Sequence, residues 1–258
     1  MNDRKFFFFD IDGTLVPEDG GTYIPENTRQ ALGELKSRGH FMALATGRAQ
    51  CMAVGRMKDL GFDSMVSDGG YGVTLNGKLL GIEPIDRELC IQLAEECEEA
   101  GFAWGCSTKN EPLRLTRSQR FCDETNDSYQ KARLVPDLDL EKEPVILKMF
   151  VSLPPGQEKL LPALSKLPWM RYGKMPYIFV EPQDKAKGIR KIMKELGCKD
   201  SDVVVFGDEL NDLSMFLPEW TCIAMGNARE EVKARADFVT RNCDDDGIGY
   251  ALRHFGWI

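Results

Sequence analysis

The chain has 258 residues, of which 43% are hydrophobic and 9% aromatic, enough to form one large core or two modest ones. Its formal net charge of −8 argues against a nucleic acid or an anionic membrane surface as the main partner. It contains only two histidines, His40 and His254, which gives little support to a Ser-His-Asp triad or to a histidine-based metal site.

The spacing of the eight cysteines and the first residues of the chain indicate in which cellular compartment we expect the protein. No two cysteines have the Cys-x-x-Cys spacing of a zinc site. The first residues lead into only four apolar residues, which is too short for a signal peptide, and no stretch approaches the roughly 18 apolar residues of a membrane span. We therefore expect a cytoplasmic protein with reduced thiols and no membrane partner.

The first third of the chain alternates between strand and helix patterns. Apolar runs predict strands over residues 5–9, 41–45 and 62–67. Helices are predicted over residues 25–38 and 50–60, each followed by a glycine. This order predicts a parallel sheet with right-handed crossovers.

The pattern changes after residue 70. An Asn76-Gly77 turn predicts a hairpin over residues 71–82. The following segments are predicted as helix 86–100, strands 102–106, 145–153 and 177–181, and helix 155–167. This mixture predicts an α+β region.

Alternation returns near residue 186. The predicted elements there are helix 186–197, strand 203–206, short helix 211–216, strand 221–225, helix 229–234 and strand 238–240. The economical interpretation is an α/β protein. Its core, with a Rossmann-like parallel sheet, comprises residues 1–82 and 184–258, and residues 83–183 form an inserted α+β domain.

The most informative segment is Asp10-Ile11-Asp12-Gly13-Thr14-Leu15, which directly follows the predicted buried strand Phe6–Phe9. Ligands of parallel sheets bind at the carboxyl ends of the strands, so Asp10 and Asp12 would lie at the mouth of a site. Two such carboxylates attract a hard cation such as Mg²⁺. Taken alone, the segment could also be a solvated Asp-Gly turn, which is a common pattern after a strand.

Three further polar clusters occupy matching positions, namely Thr46-Gly47-Arg48, Lys187 and the segment Gly207–Asp212. Each has an ordinary structural explanation: a strand-end turn, a solvated lysine, and Asp208 as a helix cap. Because all of them lie at strand ends or at a helix start, we group them with Asp10 and Asp12 as one set of candidate site residues. Within it, the Thr46 hydroxyl and the Gly47 N–H could bind a phosphoryl oxygen.

The set is suited to chemistry at phosphorus. Asp10 could attack a phosphate ester and form an aspartyl-phosphate. Mg²⁺ held by Asp10 and Asp208, together with Lys187, would offset the repulsion between the anions. Asp12 is placed to protonate the leaving alkoxide and then to deprotonate water.

Joined in this order, the motifs resemble those of haloacid dehalogenase (HAD) superfamily phosphatases, of the Cof-type subclass IIB with a large C2-type cap. The resemblance rests on Asp10–Leu15, Ala45–Arg48, Lys187-Gly188 and Gly207–Asp212. Later matching segments are Ala224–Ala228, Ala236-Asp237 and Asp246-Gly247. The resemblance implies a HAD-like core with an inserted cap at residues 83–183.

The resemblance also implies individual roles at the metal. Asp10 would be the nucleophile and a Mg²⁺ ligand, and Asp12 the general acid and base that also binds the metal through its backbone carbonyl. Asp208 would be the remaining acidic ligand. Asp212 would belong to the metal site by ordering a metal-bound water or the lysine.

For the phosphate, the resemblance implies Thr46, Gly47 and Lys187, with Asn211 touching the same group. The chain departs from the family at Asp68-Gly69-Gly70, where relatives often have Asn-Gly-Ala, which puts a substrate contact at Asp68 in doubt. In the cap, the residues that could face substrate are Trp104, Arg114, Arg117, Arg120, Lys148 and Tyr177. For the three arginines a solvated surface is the favoured interpretation, and for Trp104 a core position.

The resulting hypothesis is a Mg²⁺-dependent phosphatase of small phosphorylated metabolites, such as sugar phosphates or a phosphorylated cofactor, acting as a monomer or weak homodimer. A sugar phosphomutase resembling phosphomannomutase is the alternative within the same architecture. A non-catalytic sensor that keeps the fold is a third possibility, which the complete motif set disfavours.

Overall fold

The computed structural model describes residues 4–17, 23–125, 130–173 and 175–258. The helices are α1 (Glu26–Ser37), α2 (Gln50–Asp59), α3 (Arg87–Ala100), α4 (Gln119–Glu124), α5 (Lys185–Leu196), α6 (Glu230–Lys233) and α7 (Gly247–His254). None of the helices in these ranges has the length and apolar character that a membrane span requires.

The strands form two sheets. The first sheet contains β1 (Phe6–Phe9), β2 (Phe41–Ala45), β3 (Met65–Ser67), β4 (Gly72–Leu75), β5 (Lys78–Ile82), β12 (Val203–Gly207), β13 (Thr221–Ala224) and β14 (Phe238–Val239). The second contains β6 (Ala103–Ser107), β7 (Leu113–Thr116), β8 (Lys131–Leu134), β9 (Lys148–Ser152), β10 (Trp169–Met170) and β11 (Tyr177–Val180).

The chain divides into two compact units. The first comprises Met1–Arg48, Ala53–Gly81 and Asp184–Ile258, and the second comprises Ala49–Met52 and Ile82–Gln183. Each unit contains one of the two sheets and a hydrophobic core of its own.

The first sheet has the strand order β14-β13-β12-β1-β2-β3-β4-β5. All pairs from β14 to β3 are parallel, and β4 runs antiparallel to β3. The four phenylalanines of β1 lie at its centre and are at most 6% exposed, because β12 and β2 flank the strand and helices cover both faces of a parallel sheet. The predicted α/β fold class with a Rossmann-like core is confirmed.

The second sheet has the order β10-β11-β9-β6-β7-β8 and is antiparallel except between β7 and β8. Alternate residues of β9 lie in two different environments: Met149 and Val151 belong to a large apolar core, and Phe150 belongs to a smaller aromatic cluster. α3 contributes Cys90, Leu93, Ala94 and Cys97 to the large core.

One predicted helix is not present as such. Residues 155–167 form two short 3-10 turns, Glu158–Leu160 and Pro162–Ser165. Pro162 lacks an N–H and clashes with the preceding turn of a continuous helix, so the chain breaks there and restarts. Strands β7, β8 and β10 and helices α4 and α7 were not predicted from the sequence.

Candidate active site

Three strands deliver the predicted residues to one edge of the first sheet. Phe9 of β1 lies opposite Phe206 of β12 on one side and Leu44 of β2 on the other. Because all three strands run in the same direction, the segments that follow them leave the sheet at the same edge. Asp10, Thr46 and Asp208 therefore emerge side by side.

The carboxylates of Asp10, Asp208 and Asp212 form a buried cluster. One oxygen from each residue lies within 4.8 Å of the others. The Nζ atom of Lys185 lies 2.6 Å from Oδ1 of Asp10 and 2.5 Å from Oδ1 of Asp212, and the Lys185 side chain is only 1% exposed. The structure thus places one buried ammonium group between two of the three acids.

Asp212 uses both carboxylate oxygens within the protein. Oδ1 accepts from Lys185, and Oδ2 accepts backbone N–H bonds from Asp208 at 2.8 Å and Glu209 at 3.0 Å. Gly207 makes this arrangement possible, since a Cβ at that position would lie 2.6 Å from the Asp212 carboxyl carbon. Asp212 therefore fixes the loop after β12 and orients the Lys185 ammonium group.

Burial without enough positive charge raises the pKa of two of these acids. For Asp10, burial raises the pKa to about 7, with Lys185 opposing the shift and Asp212 adding to it. For Asp208, burial and the charges of Asp10 and Asp212 raise the pKa to about 9. Burial lowers the pKa of Lys185, but the attraction of Asp10 and Asp212 outweighs it and the net shift is upward. The cluster thus carries more negative charge than Lys185 can neutralise.

The donor set suits a hard divalent cation. The available groups are carboxylate oxygens, the ligands that Mg²⁺ prefers, and they are buried with a deficit of positive charge. Thr14 holds the Asp208 carboxylate by donating from Oγ1 to Oδ1 at 2.5 Å. The residues present therefore fit a cation between Asp10 and Asp208.

Asp12 is placed apart from this cluster. Its side chain is 48% exposed, and its two oxygens accept from Nε and Nη2 of Arg48, each at 2.9 Å. This two-point contact orients the Asp12 carboxylate. Arg48 stands in the predicted Thr46-Gly47-Arg48 turn, but the sequence assigned it no role.

Thr46 is buried at the end of β2. Its N–H donates to the Val66 carbonyl at 2.9 Å, and its Oγ1 accepts from the N–H of Arg48 at 3.2 Å. Gly47 follows it in the same turn. Asn211 lies half-buried in a 3-10 turn over Leu210–Met215, next to Asp212.

The lysine of the cluster is Lys185, whereas the motif pattern of the sequence predicted Lys187. The two residues lie on different faces of α5, because successive helical residues rotate by 100°. Lys187 projects toward Tyr71, with its Nζ 3.9 Å from the ring centroid. The signal that separates them was present in the sequence: Lys185 aligns with the buried Ile189 and Ile192, and Lys187 aligns with Lys191 and Lys194.

The named residues of the second unit are engaged within that unit. Arg114 is fully buried, lies 5.2–5.6 Å from the ring centroids of Phe121, Phe150 and Tyr177, and is no surface arginine. The remaining candidates have these partners: Arg117 and Trp104 contact Glu98, Arg120 pairs with Glu124, and Lys148 pairs with Glu181. Trp104 is 3% exposed, as expected for a core residue.

Asp68 is buried beside the candidate site. It adopts a left-handed backbone with a φ of 52° and accepts from the Ser67 hydroxyl at 2.9 Å. Gly69 next to it donates its N–H to the Thr46 carbonyl at 3.3 Å and accepts from the Asp184 N–H at 2.7 Å. The turn at 68–70 thus joins the end of β2 to the start of α5.

Comparison with known proteins finds relatives that are described as hydrolases or phosphatases. A family model of haloacid dehalogenase-like hydrolases matches residues 7–252. The YkrA protein of Bacillus subtilis (strain 168), provisionally named a phosphatase, is 29% identical over 257 residues that cover 99% of each chain. A solved structure of a HAD subclass IIB sugar phosphatase has a TM-score of 0.79 and 27% identity, covering 98% of this chain and 100% of that one.

A longer relative comes from Streptococcus pyogenes serotype M6 and is provisionally named a bifunctional phosphatase and peptidyl-prolyl cis-trans isomerase. It is 29% identical over 260 residues, which cover 98% of this chain and 54% of that protein, so this chain spans about half of it. The match of the family model over most of the chain decides the assignment. The protein belongs to the haloacid dehalogenase-like hydrolases and is a Cof-type phosphatase.

Proposed function

We propose that the protein is a Mg²⁺-dependent phosphatase of small phosphorylated metabolites, sugar phosphates above all, and that it acts through an aspartyl-phosphate on Asp10. The observation that carries the proposal is the buried cluster of Asp10, Asp208, Asp212 and Lys185 at the sheet edge. The likeness to a solved sugar phosphatase supports the substrate class.

Asp10 is the nucleophile in this proposal. An Oδ atom of Asp10 forms a bond to phosphorus while the bond from phosphorus to the ester oxygen breaks, and the alkoxide leaves with a proton from Asp12. Water then attacks phosphorus, gives its proton to Asp12, and the bond to Asp10 breaks. Asp12 must leave its contact with Arg48 for the proton to move.

Other residues hold the phosphoryl group and the charges. We assign phosphate binding to the Thr46 hydroxyl, the Gly47 N–H and Lys185, which replaces Lys187, with Asn211 beside them. Asp10, Asp208 and the Asp12 backbone carbonyl would hold Mg²⁺, with Asp212 supporting the site through Lys185. When bound, the cation supplies positive charge to the phosphoryl oxygens.

The inserted range 83–183 is assigned the role of the cap domain of this family. We expect selectivity among phosphate esters to depend on it. None of its six candidate residues is assigned a substrate contact.

The proposal is tested by phosphate release from para-nitrophenyl phosphate and a panel of sugar phosphates, with Mg²⁺ or with EDTA. We expect turnover only with Mg²⁺, and none detectable for Asp10→Asn. Asp59→Asn is the matched control, because it removes the same charge at the exposed end of α2. Hydrolysis that persists in Asp10→Asn, or no hydrolysis of any ester with Mg²⁺, would contradict the proposal.

The same assay separates the alternatives. A hexose 1-phosphate incubated with a sugar bisphosphate would be isomerised by a mutase, whereas we expect free phosphate. Asp12→Asn should slow hydrolysis of sugar phosphates far more than that of para-nitrophenyl phosphate, whose leaving group departs without protonation. Equal losses on both substrates would contradict the role of Asp12 as the general acid, because the attack of water that Asp12 assists as the base is common to both substrates.

A further inference from the structure

A turn after β13 contacts the loops of two proposed catalytic residues. It comprises residues 226–229 and is called the 226–229 turn below. Its backbone is fixed on one side, because Gly226 donates its N–H to the Arg241 carbonyl at 2.9 Å. A Cβ on Gly226 would lie 2.6 Å from Oδ1 of Asn242, so the turn packs directly against the loop around residue 242.

Asn227 uses both ends of its side-chain amide. Nδ2 donates to the backbone carbonyl of Gly13 at 2.8 Å, and Oδ1 accepts from the backbone N–H of Cys243 at 2.9 Å. Because Gly13 offers only an acceptor here and Cys243 only a donor, a single orientation of the amide satisfies both. Asn227 is an exposed residue, so water could satisfy the amide, and burial does not require these two bonds.

The contact at Gly13 acts on the segment that carries Asp10. Gly13 has a φ of +86°, and a Cβ there would lie 2.1 Å from Oδ2 of Asp208. The next residue, Thr14, donates to the same Asp208 carboxylate. A small shift of the Gly13 backbone would therefore change the separation between the Asp10 segment and Asp208.

The 226–229 turn also holds Asp208 itself. Arg229 donates its N–H to the Asp208 carbonyl at 2.9 Å. Two residues of one turn thus bond to the two loops that carry Asp10 and Asp208. Such an arrangement fixes the relative position of two groups that must act on the same phosphoryl group.

We propose that Asn227 is a positioning residue for the phosphatase reaction, which fixes the Gly13 carbonyl and thereby the geometry between Asp10 and Asp208. The inference rests on the proposed function, and it concerns a residue that the proposed function assigns to neither the substrate nor the metal. Its effect should appear in the rate of the chemical step and in the affinity for Mg²⁺.

The test compares Asn227→Asp with Asn227→Ala and the wild type. Aspartate retains an acceptor for Cys243 and loses the donor to Gly13, whereas alanine loses both contacts. We expect both variants to lower kcat for para-nitrophenyl phosphate by about tenfold or more while KM stays within about threefold. Mg²⁺ binding measured by calorimetry should weaken by about tenfold in Asn227→Ala, since groups that orient ligands affect metal affinity to that degree.

Asn242→Asp is the matched control. It introduces the same negative charge in the loop that packs on Gly226, and it should leave kcat and Mg²⁺ affinity within about twofold. Thermal unfolding of every variant shows whether it is folded at the assay temperature. A variant that melts early is assayed at lower temperature, where a merely structural defect recovers and a positioning defect does not.

Two results would overturn the inference. One is an Asn227→Asp enzyme with kcat and Mg²⁺ affinity within twofold of the wild type while Asp10→Asn is inactive; the proposed function would then stand and the positioning role would fall. The other is unchanged Mg²⁺ binding in Asn227→Ala. If the wild type hydrolyses no ester, the proposed function fails, and calorimetry still decides the role of Asn227.

Discussion

Lys185 lies in a buried environment where its charge has to be matched. Its ammonium group contacts Asp10 and Asp212 at 2.6 and 2.5 Å, and all three side chains are at most 10% exposed. Removing one member of a buried ion group leaves another charge without compensation, which is costly. The same contact places a positive charge at the proposed nucleophile.

The two lysines of α5 give the sharpest prediction at the residue scale. We expect Lys185→Met to lower kcat by about 10²-fold or more, because it removes a charge at the reacting centre. Lys187→Met should stay within about threefold, since its Nζ lies on the Tyr71 ring. Steady-state kinetics with para-nitrophenyl phosphate and Mg²⁺ provide the measurement.

The same two variants need a control that shows that they are folded. Lys185→Met leaves Asp10 and Asp212 buried together, so its thermal midpoint is measured alongside and the assay is run well below it. If Lys187→Met proves inactive and Lys185→Met active, Lys187 and not Lys185 holds the phosphoryl group.

Sequence patterns predicted the acids of this site more readily than its lysine. Asp10 and Asp208 follow apolar runs that predicted buried strands, so their place at the sheet edge followed from the predicted topology. The lysine depended on the rotation of α5 about its axis, which is set by packing against Val66 and the turn at 68–70. The contact between Asp12 and Arg48 depends on side-chain conformations, which no spacing rule supplies.

At the scale of elements, helix α5 packs closely on the sheet at one glycine, Gly188. A Cβ on Gly188 would lie 2.4 Å from Cγ1 of Val66 and 2.8 Å from the Gly70 carbonyl. The helix can approach β3 only because this position has no side chain. The close approach carries Lys185 to the site.

Gly188→Ala should therefore destabilise the protein, whereas Gly33→Ala should stabilise it. Gly33 lies at an exposed position of helix α1 with nothing within 4 Å of its added Cβ, so alanine gains up to about 1 kcal/mol from helix propensity. For Gly188→Ala we expect a loss of about 1–3 kcal/mol from overpacking. Urea unfolding of both variants measures the difference, and equal effects at the two sites would contradict the packing described.

Strands formed by continuous apolar runs were predictable from the sequence, and short exposed strands were not. The apolar runs of β1, β2 and β12 are buried on both faces and were recognised within one residue of their ends. In contrast, β8 reads Lys-Ala-Arg-Leu, is mostly exposed, and forms only because β7 pairs with it. Its strand conformation comes from a partner distant in sequence, which a local pattern does not contain.

For the whole molecule, the thiols report how well the two cores are closed. Five of the eight cysteines are buried: Cys90, Cys97, Cys106, Cys222 and Cys243. Burial raises the pKa of Cys106 and of Cys222 to about 12, which removes the reactive thiolate at neutral pH. Cys51, Cys122 and Cys198 are half-buried.

We expect at most three thiols to react rapidly with a chromogenic disulfide reagent at pH 8 under native conditions. All eight should react in denaturant. Among these three, Cys198 should be the slowest, because burial raises its pKa to about 11. Rapid reaction of five or more thiols would mean that at least one of the two cores opens readily in solution.

The acid cluster makes stability depend on pH across the whole molecule. The pKa of Asp208 is raised from 3.8 to about 9, so between these values the folded chain binds more protons than the unfolded chain. The free energy of unfolding should therefore fall as pH rises from about 4 to about 9 in EDTA. Asp10, whose pKa is raised to about 7, adds to the slope below that pH.

Asp208→Asn removes the largest part of this cost while keeping an acceptor for the Thr14 hydroxyl. At pH 8 in EDTA we expect the variant to be more stable by about 1–3 kcal/mol, with a flatter dependence on pH, whereas Asp59→Asn should match the wild type. Added Mg²⁺ should raise the thermal midpoint of the wild type and not that of Asp208→Asn, because only a cation-binding native state gains from it. A variant less stable than the wild type at pH 8 would show that the cluster is compensated without a cation, and the stability of the fold would then no longer argue for a metal at Asp208.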